Sequence, residues 1–120
     1  MTPFGARLRE MRAKRGISLK EMAAAINVSP AYLSALEHGK RGRPNWALVQ
    51  NVISYFNVIW DEAEELTRLA RLSHPRIVLD TAGLSPKATE LANRLATQIR
   101  NLPEPEIDKL LAALKTRVKG

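Results

Sequence analysis

Ser18 to Gly39, SLKEMAAAINVSPAYLSALEHG, admits few folds, because two short helices are written into it with their ends marked. Ser18 is a helix N-cap residue, and Glu21, three residues on, completes a capping box. Leu19, Met22, Ala23 and Ile26 follow at helical spacing as one apolar face. Asn27 stands where a tight turn calls for a left-handed residue. Ser29 caps the second helix, Pro30 fits its first position, and Gly39 ends it.

The remaining segments also read with helical period, so the expected class is all-α. Phe4, Leu8 and Met11 form one stripe of a helix from about Pro3 to Arg15, stopped by Gly16. Pro44 or Asn45 opens a fourth helix whose apolar residues are Trp46, Val49, Val52, Ile53 and Phe56. A fifth begins near Asp61, with an acidic first turn that suits its dipole, and ends near Leu72. SHPRIVLDTAGLS, residues 73–85, is a linker by its Pro and Gly, and RIVLD within it (residues 76–80) is either irregular chain or a short extended arm. Ser85-Pro86 opens a sixth helix with Leu91, Leu95 and Ile99 as a stripe. Pro103 and Pro105 break it. A seventh carries Ile107, Leu110, Leu111, Leu114 and Val118.

Charge is unevenly distributed. Residues 1–45 hold nine Lys/Arg against three Asp/Glu, residues 46–72 two against four, and residues 73–120 eight against five, for a net charge of +7. The positive charge therefore gathers on the segment with the two marked helices, which favours a polyanionic partner. The chain has no cysteine, which excludes disulfides, thiolate metal sites and a Cys nucleophile. His38 and His74 alone make a poor metal site. No Ser/His/Asp arrangement, phosphate loop or catalytic carboxylate pair stands out, so an enzyme is not expected, nor a metal or cofactor. No apolar run approaches a membrane span and the first residues lack a signal-peptide pattern, so the expected location is the cytoplasm.

Two short helices across a tight turn suit double-stranded DNA for a geometric reason. One braces across the backbone while the other lies in the major groove, whose width accepts a helix. On a helical wheel of the second helix, Tyr32, Leu33, Leu36 and Glu37 fall on one side. Pro30, Ala31, Ser34, Ala35 and His38 fall on the other, which is the side left for DNA. LREMRAKRG, Ala23 in the bracing helix, Val28-Ser29 in the turn, LEHGK after the second helix and YFNV before the fifth together resemble the XRE family of Cro/cI-type helix-turn-helix regulators, over residues 4–60.

That resemblance implies a five-helix, lambda-repressor-like domain in which Pro30, Ala31, Ser34, Ala35 and His38 read base edges. It also implies a structural ion pair between Arg12 and Glu37 that clamps the first helix to the third. In one respect the sequence departs from the family. The first residue of the bracing helix is often a phosphate-binding Gln, and here it is Leu19, which can only pack. Contacts to phosphates or the minor groove then fall to Ser18, Lys20, Ser29, Tyr32, Lys40, Arg41 and Arg43 and to the helix N-termini, with Arg43 placed where relatives reach toward the minor groove. With only Ser34 and His38 polar on the reading face, direct readout is expected to be modest. Phosphates and DNA shape supply the rest.

Residues 1–72 are thus expected to form the DNA-binding domain, 73–83 a linker, and 84–120 a helical extension. Two amphipathic helices cannot enclose a core alone. Their stripes, Leu91, Leu95, Ile99, Ile107, Leu110, Leu111 and Leu114, are expected to form a homodimer interface suited to a palindromic operator; the competing reading is a cap on helices four and five. The function expected is a dimeric transcriptional repressor. The alternatives are an antitoxin whose extension binds a small toxin protein, and a protein-binding adapter that has lost DNA binding.

Overall fold

The computed structural model describes residues 1–40 and 44–117, so Arg41, Arg43 and Val118 lie outside the described residues. Seven α-helices form among the described residues: α1 Pro3–Arg15, α2 Leu19–Ala25, α3 Pro30–Glu37, α4 Trp46–Phe56, α5 Trp60–Arg71, α6 Pro86–Gln98 and α7 Glu104–Arg117. A short 3-10 turn, Ile99–Asn101, follows α6. The chain divides into two units, Met1–Ile77 and Val78–Gly120.

Local chemistry sets the helix ends. Thr2, Ser18, Ser29, Asn45 and Ser85 each accept a backbone N–H from the helix they precede, the bond that satisfies an otherwise orphaned donor. Ser18 and Glu21 complete the reciprocal capping box. Asn27 and Asn57 adopt left-handed φ values of 63° and 54°, letting the chain turn after α2 and α4.

The core of the first unit gathers one face from each of its helices: Phe4 and Leu8 of α1, Met22 and Ala23 of α2 with Ile26 just beyond, Leu33 and Leu36 of α3, Leu48, Val49, Val52 and Phe56 of α4, and Leu66 and Ala70 of α5. Burying a side chain of this size contributes about 1.5–3 kcal/mol each. Leu48 belongs to this core although the apolar pattern of α4 pointed to Trp46, which is 74% exposed. Trp60 is 81% exposed, so neither tryptophan is a core residue. RIVLD forms no strand, and Ile77, Val78 and Leu79 are exposed.

Ser73 closes the first unit. It is buried, its hydroxyl donates to the Leu69 carbonyl, and its Oγ accepts the Phe4 N–H at 2.9 Å. The end of α5 is thereby fastened to the start of α1, at a residue whose neighbours His74 and Pro75 read as linker.

Gly5 marks a close crossing of α1 and α3. A Cβ placed there would stand 2.5 Å from the Leu36 carbonyl oxygen and 2.9 Å from that of Glu37. Those are backbone atoms, and they cannot swing aside as a side chain can. Gly5→Ala is therefore expected to destabilise by about 2–3 kcal/mol despite alanine's better helix propensity. A thermal melt equal to that of the unaltered chain would refute the contact.

In the second unit the stripes of α6 and α7 lie at the surface. Leu91, Ile99, Leu110, Leu111 and Leu114 are exposed, between 43% and 67%, while Leu95 and Ile107 are half-buried.

Candidate nucleic-acid interface

The candidate surface begins with how α3 is held. Its inner side is buried: Leu33, Leu36 and Glu37 are each 2% exposed or less. Glu37 meets Arg12 of α1 in a two-pronged pair, with Arg12 Nε donating to Oε2 and Nη2 to Oε1, both at 3.1 Å. Arg12 Nη1 also reaches the Ile17 carbonyl at 3.3 Å, joining the loop before α2 to the same cation. This geometry matches the planar fork of a guanidinium to a carboxylate and fixes α3 about its axis.

Fixing the axis fixes the outer side. Pro30, Ala31 and His38 are exposed, and Ser34 and Ala35 are half-buried. The five residues assigned to base readout thus share one accessible face, and no large apolar side chain stands on it. The His38 ring bonds through Nδ1 to the Ser34 carbonyl oxygen at 2.8 Å, so the two polar residues of the face are held together.

The backbone-anchoring candidates are arranged around it. Ser18 and Lys20 sit exposed at the start of α2, Ser29 is exposed at the start of α3, and Lys40 is exposed just past its end. Tyr32 is half-buried and packs on the core. Leu19 does likewise, the packing role its side chain permits. Gly39, with φ of 72°, turns the chain after α3 where a Cβ would meet Met1 and Thr2 backbone atoms at 3.1–3.2 Å. Only glycine combines that conformation with that closeness.

Two asparagines that sequence reasoning did not place in the site border it. A cleft of about 420 Å³ opens between the α2–α3 turn and α4, lined in part by Asn27, Ser29, Tyr32, Asn45 and Asn51. Asn45 caps α4 by accepting the Leu48 N–H at 2.8 Å, and Asn51 Nδ2 donates to the Ile26 carbonyl at 3.4 Å. The first fixes the start of α4 and the second ties α4 to the end of α2. Their signal in the sequence was two amides six residues apart around an apolar run, too common a pattern to single out.

The basic residues of α1 take mostly structural parts. Arg15 donates to the Phe56 carbonyl at 2.8 Å with its guanidinium 4.9 Å from the Phe56 ring centre. Arg7 faces Glu65 at 4.0 Å, and Lys14 pairs with Glu10 at 3.4 Å.

Comparison with known proteins agrees with this geometry. Residues 3–66 match a family model described as a helix-turn-helix domain. The uncharacterized HTH-type transcriptional regulator RghRB of Bacillus subtilis is 34% identical over 61 residues, 51% of this chain and 44% of that protein. HTH-type transcriptional regulator DdrOP3 of Deinococcus deserti is 42% identical over 52 residues, 43% and 40% of the two chains. HTH-type transcriptional repressor RghR of Bacillus subtilis is 31% identical over 61 residues, 51% and 45%. The matched stretch spans less than half the length of each of these curated relatives. A solved structure, a SinR protein/SinI protein complex, aligns over 95% of this chain and 96% of the other at 22% identity, with a TM-score of 0.46.

Proposed function

We propose that this chain, which belongs to the helix-turn-helix domain family, is a repressor that works as a homodimer on a palindromic operator, each copy laying α3 in the major groove. The observation that carries the reading is the division of α3. One side is locked into the core and to Arg12, and the other presents Pro30, Ala31, Ser34, Ala35 and His38 to solvent. A helix held this way can enter a groove without reorganising, and phosphate contacts at its margins set its register.

Residues 1–77 act as the DNA-binding domain, since buried Ser73, expected in the linker, closes that unit; 78–83 act as the linker and 84–120 as the dimerisation extension. Ser18, Lys20, Ser29, Tyr32 and Lys40 hold phosphates, and Arg41 and Arg43 extend that role along the loop after α3. The mechanism is steric: a dimer seated on a promoter excludes polymerase, with no covalent chemistry and no cofactor. The site of action is the cytoplasm, where bacterial DNA lies.

Selection of bound sequences from random double-stranded DNA, at two salt concentrations, tests the reading. The expected motif is an inverted repeat with half-site centres about 10 base pairs, one helical turn, apart. Ser34→Ala should relax preference at one position per half-site. Lys40→Ala should weaken binding to all sequences alike and lower the salt slope by about one unit. Absence of any enriched motif at low salt would overturn the proposal.

A further inference from the structure

The ring of His38 is oriented by a bond that also settles which of its nitrogens carries hydrogen. His38 follows the last residue of α3 and is exposed. Its backbone N–H donates to the Ser34 carbonyl oxygen at 3.1 Å, and its Nδ1 lies 2.8 Å from the same oxygen. A carbonyl oxygen only accepts, so Nδ1 must be the protonated nitrogen. The neutral ring then has no hydrogen on Nε2, which is left as an acceptor. Residues four apart share a helix face, so this acceptor stands on the same side of α3 as Ser34.

We propose that His38 reads base polarity: Nε2 accepts a hydrogen bond from an exocyclic amine in the major groove, N6 of adenine or N4 of cytosine. Those amines are the groove's hydrogen-bond donors, whereas guanine offers O6 and N7 and thymine offers O4, all acceptors. Two acceptors facing each other leave both unsatisfied, so the ring disfavours guanine and thymine at the place it meets. The same polarity removes His38 from the phosphate-binding set, because a neutral Nε2 has nothing to donate to a phosphate oxygen. The bond to Ser34 restrains the ring before DNA arrives, which reduces the ordering needed on binding. The inference rests on the reading of α3 as the recognition helix.

Every base pair presents one exocyclic amine in the major groove, so the letter found at a position is uninformative alone and the variants decide. Random-pool selection is run at about pH 8 with the unaltered chain, His38→Ala and His38→Lys. His38→Ala is expected to flatten one position per half-site, where the unaltered chain discriminates on the order of fivefold, and to leave the other positions unchanged. His38→Lys, a donor only, is expected to replace the preferred base there, with guanine on the contacted strand as the favoured outcome. An A·T pair at that position in the unaltered chain's motif identifies the adenine amine, and a G·C pair the cytosine amine. A lysine variant that keeps the original base, or an alanine variant that leaves every position unchanged, overturns the assignment of His38 while the reading of α3 stands. Failure of the unaltered chain to enrich any motif overturns both.

Discussion

Glu37→Ala is expected to destabilise the first unit by about 3–5 kcal/mol and to lower its melting temperature by about 12–40 °C. The Glu37 side chain is 2% exposed and that of Arg12 22%, so the pair is withdrawn from water. Removing the carboxylate strands a guanidinium whose three contacts, two to Glu37 and one to the Ile17 carbonyl, were arranged around it. It also leaves space where a buried side chain stood. Well below the new melting temperature, DNA affinity should change little, because Glu37 faces the core and not the groove. The partner experiment is Arg12→Met combined with Glu37→Leu. Apolar residues of similar size avoid the stranded charge, so the double variant should recover more than half of the lost stability. A melting temperature untouched by Glu37→Ala would refute the clamp, and a double variant no better than the single would mean that packing loss, not the uncompensated cation, dominates.

Removal of residues 84–120 is expected to produce a monomer by light scattering and to weaken operator binding by at least about 100-fold, since joining two half-site readers raises the local concentration of the second. The first unit encloses its own buried core from Phe4 to Ala70, so the shortened chain should retain its helices and melt cooperatively. The proposed interface can also be broken without truncation. Leu91 and Leu110 are 57% and 43% exposed in the single chain, and burying leucines of this kind against a second copy contributes about 1.5–3 kcal/mol each. Leu91→Glu with Leu110→Glu should therefore reproduce the monomeric, weakly binding behaviour while leaving the first unit's melting unchanged. A truncated chain that still dimerises and binds normally would refute the assignment of the extension. So would an intact chain that is monomeric at the concentrations where it binds an inverted repeat.

Much of the fold was legible because its helix boundaries are local chemistry. A serine immediately before a helix, a proline at the first position and an asparagine or glycine at the turn act through bonds spanning three or four residues. The structure accordingly has caps at Ser18, Ser29 and Ser85 and left-handed turns at Asn27 and Gly39. The division of α3 was legible for the same reason, because a helix of known phase has only two sides. Periodicity was less reliable in α4. Trp46 and Leu48 lie two residues apart near its first turn, and hydrophobicity alone favoured the larger side chain. Which one is buried depends on which side of α4 meets the α2–α3 turn, where Leu48 lies beside Ile26, Val28 and Tyr32, and that is set by residues far along the chain.

What the sequence by itself determined was the set of helices, their ends, the outward side of α3 that carries Pro30, Ala31, Ser34, Ala35 and His38, and the gathering of positive charge in residues 1–45. What only the tertiary structure decided were the contacts that join distant segments. These are the Ser73 hydroxyl under the start of α1, the backbone crossing at Gly5, the Arg15–Phe56 contact, and Asn51 on the Ile26 carbonyl. The tautomer of His38 belongs with them, since it follows from where the folded chain puts one carbonyl oxygen. The physical reason is range. Caps, turns and helical phase are settled by neighbours within a few residues, whereas a buried hydroxyl or a backbone crossing depends on the separation of helices tens of residues apart, which emerges only when the whole core packs.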